Sequence, residues 1–102
     1  MNKELYHKEI EFPSHMQKHM RNCFGKVKNV DTKDEGYKRN KELQEKNYIT
    51  YKQLKRIKNF FDNFKGNHKD PSFILNGGVE IKNWVNNELR RMREFEIGRA
   101  HV

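Results

Sequence analysis

"ITYKQLKRIKNFFDNFKG", Ile49 to Gly66, is the stretch whose reading decides the fold. Leu54, Ile57, Phe60, Phe61 and Phe64 recur at i, i+3, i+6/i+7 and i+10, the period of one helical face. Thr50 and Gln53 stand at capping-box spacing, so their side chains can satisfy each other's orphan amides. Gly66 supplies a stop signal. The stretch predicts an amphipathic helix, and its apolar stripe needs other elements to cover it.

Downstream, Asp70 as cap and Pro71 at the first helical position predict a short helix over "PSFIL", ended by Asn76 and Gly77 in left-handed conformations. "VEIKNWVNNELRRMR" then puts Ile81, Trp84, Val85, Glu88 or Leu89, and Met92 on one face. Upstream, "FPSHMQKHMRNCFGKV" reads as a helix capped by Ser14 and stopped near Gly25. Its stripe is Met16, Met20, Cys23, Phe24 and Val27. "KNVDTKDEG" is a polar linker. "GYKRNKELQEKN" is weakly helical, with Tyr37, Asn40 or Lys41, and Leu43 or Gln44 along a thin stripe that Asn47 can close. Tyr6, Ile10 and Phe12 alternate in the first twelve residues, but Lys8 breaks the pattern; an edge strand and a docking arm both fit.

The expected fold class is all-α: a small bundle of three main helices plus one or two short ones. A flexible arm (1–12) precedes a single helical domain (13–95), and residues 96–102 form a tail. The expected core is Met16, Met20, Phe24, Leu54, Ile57, Phe60, Phe61, Phe64, Ile74, Ile81, Trp84, Val85 and Leu89.

Composition bounds the function. Of 102 residues, 33% are hydrophobic and 35% charged, with net charge +8. An excess of that size favours polyanions. The fifteen Lys and twelve Asn also match what AT-rich codons produce without selection for binding. Cys23 is the sole cysteine, which rules out an intrachain disulfide and a Cys-only metal knot. No apolar run approaches 18 residues, and the N-terminus has no apolar signal core. The expected location is therefore a host cytoplasm or a virion, without secretion or membrane insertion.

Three constellations carry possible chemistry. His15, His19 and Cys23 lie four apart on one helix, so neighbouring side chains could share a metal ion, although zinc needs three or four ligands. The competing reading makes the histidines flank the apolar stripe and Cys23 a small core residue. Lys52, Lys55 and Arg56 lie opposite the stripe of the central helix, and Lys82, Arg90 and Arg93 mark the polar side of the last. Both sets suit phosphates, with interspersed Asn for base edges or phosphates. The bland alternative is two solvated faces. The segment Gly66–Gly78 between these helices is longer than a helix-turn-helix linker. "NGG" at Asn76–Gly78 could hold an anion at a helix N-terminus, but it lacks the Lys-Ser/Thr of a phosphate loop and reads better as a tight turn. No nucleophile–base order or carboxylate pair stands out, so an enzyme is not expected, nor is a cofactor or a small-molecule substrate.

"EGYKRNKELQEKNYITYKQLKRIKNFFDNF" and "FILNGG…KNWVNNELRR" resemble a group of small uncharacterised proteins from tailed bacteriophages. The resemblance covers about Met16 to Arg93 and implies phage origin, with no activity or site residue to carry over. Two functions follow as expectations. One is a non-enzymatic accessory or virion-associated protein whose partner is a phage protein. The other is a nucleic-acid-binding accessory protein. An exposed apolar patch would favour the first; a basic stripe shared by both long helices on one side would favour the second.

The ending "EIGRAHV", Glu96–Val102, contains the chain's only alanine, Ala100. A codon choice for these residues is similar to the start of a widely used sequencing adapter. The reading is a non-native, poorly packed tail on a chain truncated near Phe95.

Overall fold

The computed structural model describes residues 8–100, with side chains for residues 8–94. In chain order, β1 (Glu9–Glu11) leads into α1 (Ser14–Gly25) and α2 (Glu35–Glu45). β2 (Tyr48–Thr50) runs directly into α3 (Tyr51–Asn63), followed by the short α4 (Pro71–Leu75) and the long α5 (Gly78–Ala100). The protein is mostly helical.

The stripe of α3 is covered chiefly by α5. Leu54, Ile57 and Phe61 from one helix and Ile81, Val85, Leu89 and Met92 from the other are all buried. Thr50 and Gln53 form the capping box expected of them. The Thr50 hydroxyl accepts from Gln53 N at 3.2 Å, and Gln53 Oε1 accepts from Thr50 N at 2.8 Å. A cap of this kind contributes about 1 kcal/mol. The ring of Phe73 meets Phe61 at 5.4 Å and Phe64 at 5.1 Å, joining the end of α3 to α4. Phe73, which meets the end of α3, also lies beside Gly78 at the start of α5, while Lys58, further back in α3, meets Asn86, further along α5, so the two long helices run antiparallel.

The all-α expectation needs correction by one small sheet. β1 and β2 pair antiparallel, Glu9 opposite Thr50, Ile10 opposite Ile49 and Glu11 opposite Tyr48. Phe12 N then donates to Asn47 O at 2.8 Å, and the Phe12 ring meets Trp84 edge-on at 5.2 Å, 2% exposed. The arm set at 1–12 is thus part of the folded unit from Glu9 onward; its first seven residues lie outside the described ones. The physical reason is burial: Ile49 and Phe12 have more to gain inside than a free arm can supply.

The thin-striped segment becomes α2, an eleven-residue helix comparable with α1. Its buried positions are Gly36, Asn40 and Leu43, at helical spacing. Asp34 caps it, its side chain accepting from Gly36 N at 3.2 Å. Asn40 donates from Nδ2 to Met20 O (3.1 Å) and Leu75 O (2.9 Å), while its Oδ1 accepts from Gln44 Nε2 (2.6 Å). A fully buried amide is tolerated because each group is paired.

Other expectations change in detail. The N-cap of α1 is Pro13, whose carbonyl accepts from Met16 N and Gln17 N; Ser14 is already helical. Asn76 keeps a right-handed conformation, and the chain reverses through Gly77 (φ 108°) and Gly78 (φ 64°) instead. Met16, Phe60, Phe64 and Trp84 are half-buried at the core's margin. Phe24 and Ile74 are also half-buried and lie outside the core cluster. Phe24 packs against Tyr37 at 5.7 Å, with the Lys41 ammonium 4.3 Å from its ring. α4 instead inserts Phe73 and Leu75, 4% and 1% exposed. The α5 backbone continues to Ala100; the packing expected of the tail, Glu96–Val102, lies outside the described side chains.

Candidate nucleic-acid interface

A helix turns by about 100° per residue, so the buried positions of each helix orient its remaining side chains. On α3, with Leu54, Ile57 and Phe61 inward, Lys55, Lys58 and Asp62 form a line along one flank, with Lys52 beside it further out. On α5, with Ile81, Val85, Leu89 and Met92 inward, Lys82, Asn86 and Arg93 form the corresponding line, with Arg90 beside it. The two lines face each other across the α3–α5 seam, because Lys58 Nζ reaches Asn86 Oδ1 at 3.5 Å.

The residues singled out from sequence therefore share one side of the fold, with one exception. Lys52, Arg90 and Arg93 are exposed, and Lys55 and Lys82 half-buried. Arg90 Nη2 donates to Asn87 Oδ1 at 2.6 Å. Asp62 is the acid on this flank, and it pairs with Lys58 at 3.0 Å. The exception is Arg56, which turns to the opposite flank of α3, toward α2. Lys58 belongs to the basic line but was not expected there. Its signal was its place beside the apolar stripe, one turn from Lys55.

On the α2 side, a groove of about 360 Å³ lies above Leu43 and Ile57 and between Lys38, Arg39, Glu42, Gln53 and Arg56. Glu35, Arg39 and Arg56 also line a more open basin of about 620 Å³, whose other wall carries Asn59, Phe60, Asn63 and Phe64. α2 and α3 are not among the helix pairs that pack closely, which leaves this space. Burial of the Arg39 guanidinium lowers its pKa, opposed by the Glu35 and Glu42 carboxylates and reinforced by the Arg56 charge. Arg39 is held from behind: its Nη1 donates to Asn76 Oδ1 at 2.6 Å, and Asn76 Nδ2 donates to Ser72 O at 2.8 Å. Nothing in the charge pattern of α2 separates Arg39 from Lys38 or Lys41, so the sequence does not single it out.

The histidine–cysteine candidate resolves differently. His15 is exposed, whereas His19 is turned into the fold. His19 Nδ1 lies 2.6 Å from Glu80 Oε2, and its Nε2 lies 2.8 Å from Gly77 O and 3.3 Å from Cys23 Sγ. The imidazole thus fastens α1 to the turn into α5. His15, His19 and Cys23 do not form a ligand set; among the described residues no group of three His, Cys, Asp or Glu side chains is placed to hold a metal ion. A cavity of about 310 Å³ beside them is also lined by His68, stacked on Phe73 with centroids 4.7 Å apart. Burial pushes the Cys23 thiol up, opposed by Lys26 and reinforced by Glu80, so the thiolate needed of a nucleophile is disfavoured. The glycines of "NGG" make a turn: Gly77 is buried, its carbonyl faces His19, and Glu80 occupies the first turn of α5.

Among the described residues no helix is long and apolar enough to cross a membrane. Large exposed apolar side chains there are Tyr48 (54% exposed) and Val79 (42%). Compared with protein-family models, curated proteins and solved structures, the chain gives no significant match to any of the three.

Proposed function

We propose that the protein is a non-enzymatic accessory protein that binds nucleic acid through the phosphate backbone, using the basic flank shared by α3 and α5. The observation that carries this reading is the pair of facing lines, Lys55–Lys58 and Lys82–Arg93, brought together at the Lys58–Asn86 contact. Two parallel rows of ammonium and guanidinium groups on antiparallel helices suit a linear polyanion better than a point charge does. Asn86, on the same row, adds a neutral donor for phosphate oxygens. The phage origin implied by the sequence resemblance is part of the same proposal.

The competing expectation, docking on a phage protein, asks for a contiguous apolar patch. Among the described residues, the large exposed apolar side chains are Tyr48 and Val79, one on β2 and one on α5, which favours the basic flank as the working surface. The test is fluorescence anisotropy of a labelled random-sequence duplex over a series of salt concentrations. Affinity should fall linearly in log–log form, with little preference for sequence. Absence of binding at low salt, or affinity indifferent to salt, would contradict the reading.

A further inference from the structure

We infer that the groove between α2 and α3 receives a single nucleic-acid strand, with a phosphate at Arg39 and Arg56 and a base against Phe60 and Phe64. This rests on the proposed nucleic-acid reading and deepens it by naming the form of the ligand.

Four observations support the assignment. The groove and the more open basin share Glu35, Arg39 and Arg56, so the two adjoin along α3. Their cationic part holds two guanidiniums, Arg39 and Arg56, which line both the groove and the basin. Such a pair is stabilised by an anion between its members, and planar guanidinium forks match phosphate oxygens. Arg39 is also preorganised by Asn76, which removes much of the ordering cost of binding.

The third observation is the aromatic wall. Phe60 and Phe64 lie with centroids 5.6 Å apart and are half-buried, each leaving part of its ring open to the basin. A base can stack there whatever its identity, since each base has a π-face. The fourth is the place of these rings, in the wall of the same basin that Arg39 and Arg56 line. An unpaired strand can place a base against the Phe60–Phe64 wall, whereas the bases of a duplex stay stacked inside it. Glu42 is already engaged, accepting from Gln53 Nε2 at 2.6 Å and lying 3.8 Å from Lys46. Glu35 and, in the basin, Asp70 are the acids that a phosphate would meet.

The test measures anisotropy of labelled dT20, rU20 and a 20-base-pair duplex with the full chain and three variants. Phe60→Leu keeps the apolar contact with the core but removes the ring. It should weaken dT20 binding by about 5- to 150-fold, the range of one lost base–aromatic stack, and leave duplex binding within about twofold. Lys82→Gln, on the other flank, should weaken single strand and duplex alike. Glu35→Gln should tighten dT20. The rU20 arm separates RNA from DNA as the source of the strand. Thermal melts check that each variant folds.

Equal losses on dT20 and duplex for Phe60→Leu, or no loss on either, would overturn the inference. So would poly-glutamate displacing dT20 as effectively as unlabelled dT20, because the groove would then read charge without bases. Duplex binding without single-strand binding would sink the inference and leave the broader reading intact. Binding of neither would sink both.

Discussion

Arg39 donates from Nη1 to Oδ1 of Asn76 at 2.6 Å, which ties the most enclosed cation of the α2–α3 groove to the residue that ends α4. Asn76 is itself 1% exposed and donates to Ser72 O, so a single amide both closes a turn and aims a guanidinium. Replacing Asn76 with Ala should cost about 1–3 kcal/mol of stability, the range for losing buried hydrogen bonds and leaving partners unpaired. At temperatures where the variant is folded, it should also weaken dT20 binding more than duplex binding. Urea unfolding and anisotropy on the same sample check both effects.

Asn40 makes the corresponding prediction for the core. Its amide serves the carbonyls of Met20 and Leu75 from the centre of α2. Asn40→Leu supplies similar volume but no donor, so two carbonyls lose their partner. The expected loss is about 2–4 kcal/mol, although the substitution raises apolar content. A variant as stable as the native chain in urea would show that the amide contributes nothing net.

Gly77 and Gly78 should respond differently to the same change. A Cβ at Gly77 would overlap the Ile81 side chain and stand 3.0 Å from Met20 Sδ, at a φ of 108°. At Gly78 the φ is 64°, and such a Cβ would meet Phe73 at 3.9 Å, an ordinary contact. Gly78→Ala should therefore cost about 1–2 kcal/mol, the left-handed penalty alone. Gly77→Ala should cost more than about 3 kcal/mol through overpacking added to strain. Differential thermal unfolding ranks the pair.

Cys23 gives stability a dependence on alkaline pH. Burial raises its pKa in the folded state above the ordinary 9.0, so the folded chain holds the thiol proton more tightly than the unfolded one. This contribution is complete below the unfolded pKa and is lost as pH rises through the folded value. Native chain and Cys23→Ala should differ by a constant amount between pH 7 and about 8.5, and the difference should shrink above that. Urea midpoints at each pH supply the curve; parallel profiles up to pH 10 would refute the linkage.

How much of this was legible in the sequence follows from which residues announce themselves. α3 was readable because its stripe, capping box and stop all agree. Asp70–Pro71 marked the start of α4. The rank of α2 was obscured because two of its three buried positions are Gly36 and Asn40, which add nothing to a hydrophobic period. The β1–β2 pair was hidden because three-residue strands find each other across some forty residues, and alternation in one does not name its partner. The basic residues of α3 and α5 were visible, but their common flank depended on how the helices cross. Arg56 lies on the other side for the same reason, and Arg39 acquired its place only through Asn76, far along the chain.

The central claim is a phosphate-binding flank built by two helices, and the salt dependence of duplex affinity tests it most directly. The measurement compares the native chain with the triple variant Lys55→Gln, Lys82→Gln, Arg93→Gln, whose substitutions lie on that flank and leave the core untouched. Each lost phosphate contact lowers the steepness of log K against log salt by about 0.9, so the variant's slope should be shallower by about 2–3. An unchanged slope, with the native chain binding duplex normally, would place the phosphates elsewhere on the molecule and contradict the account.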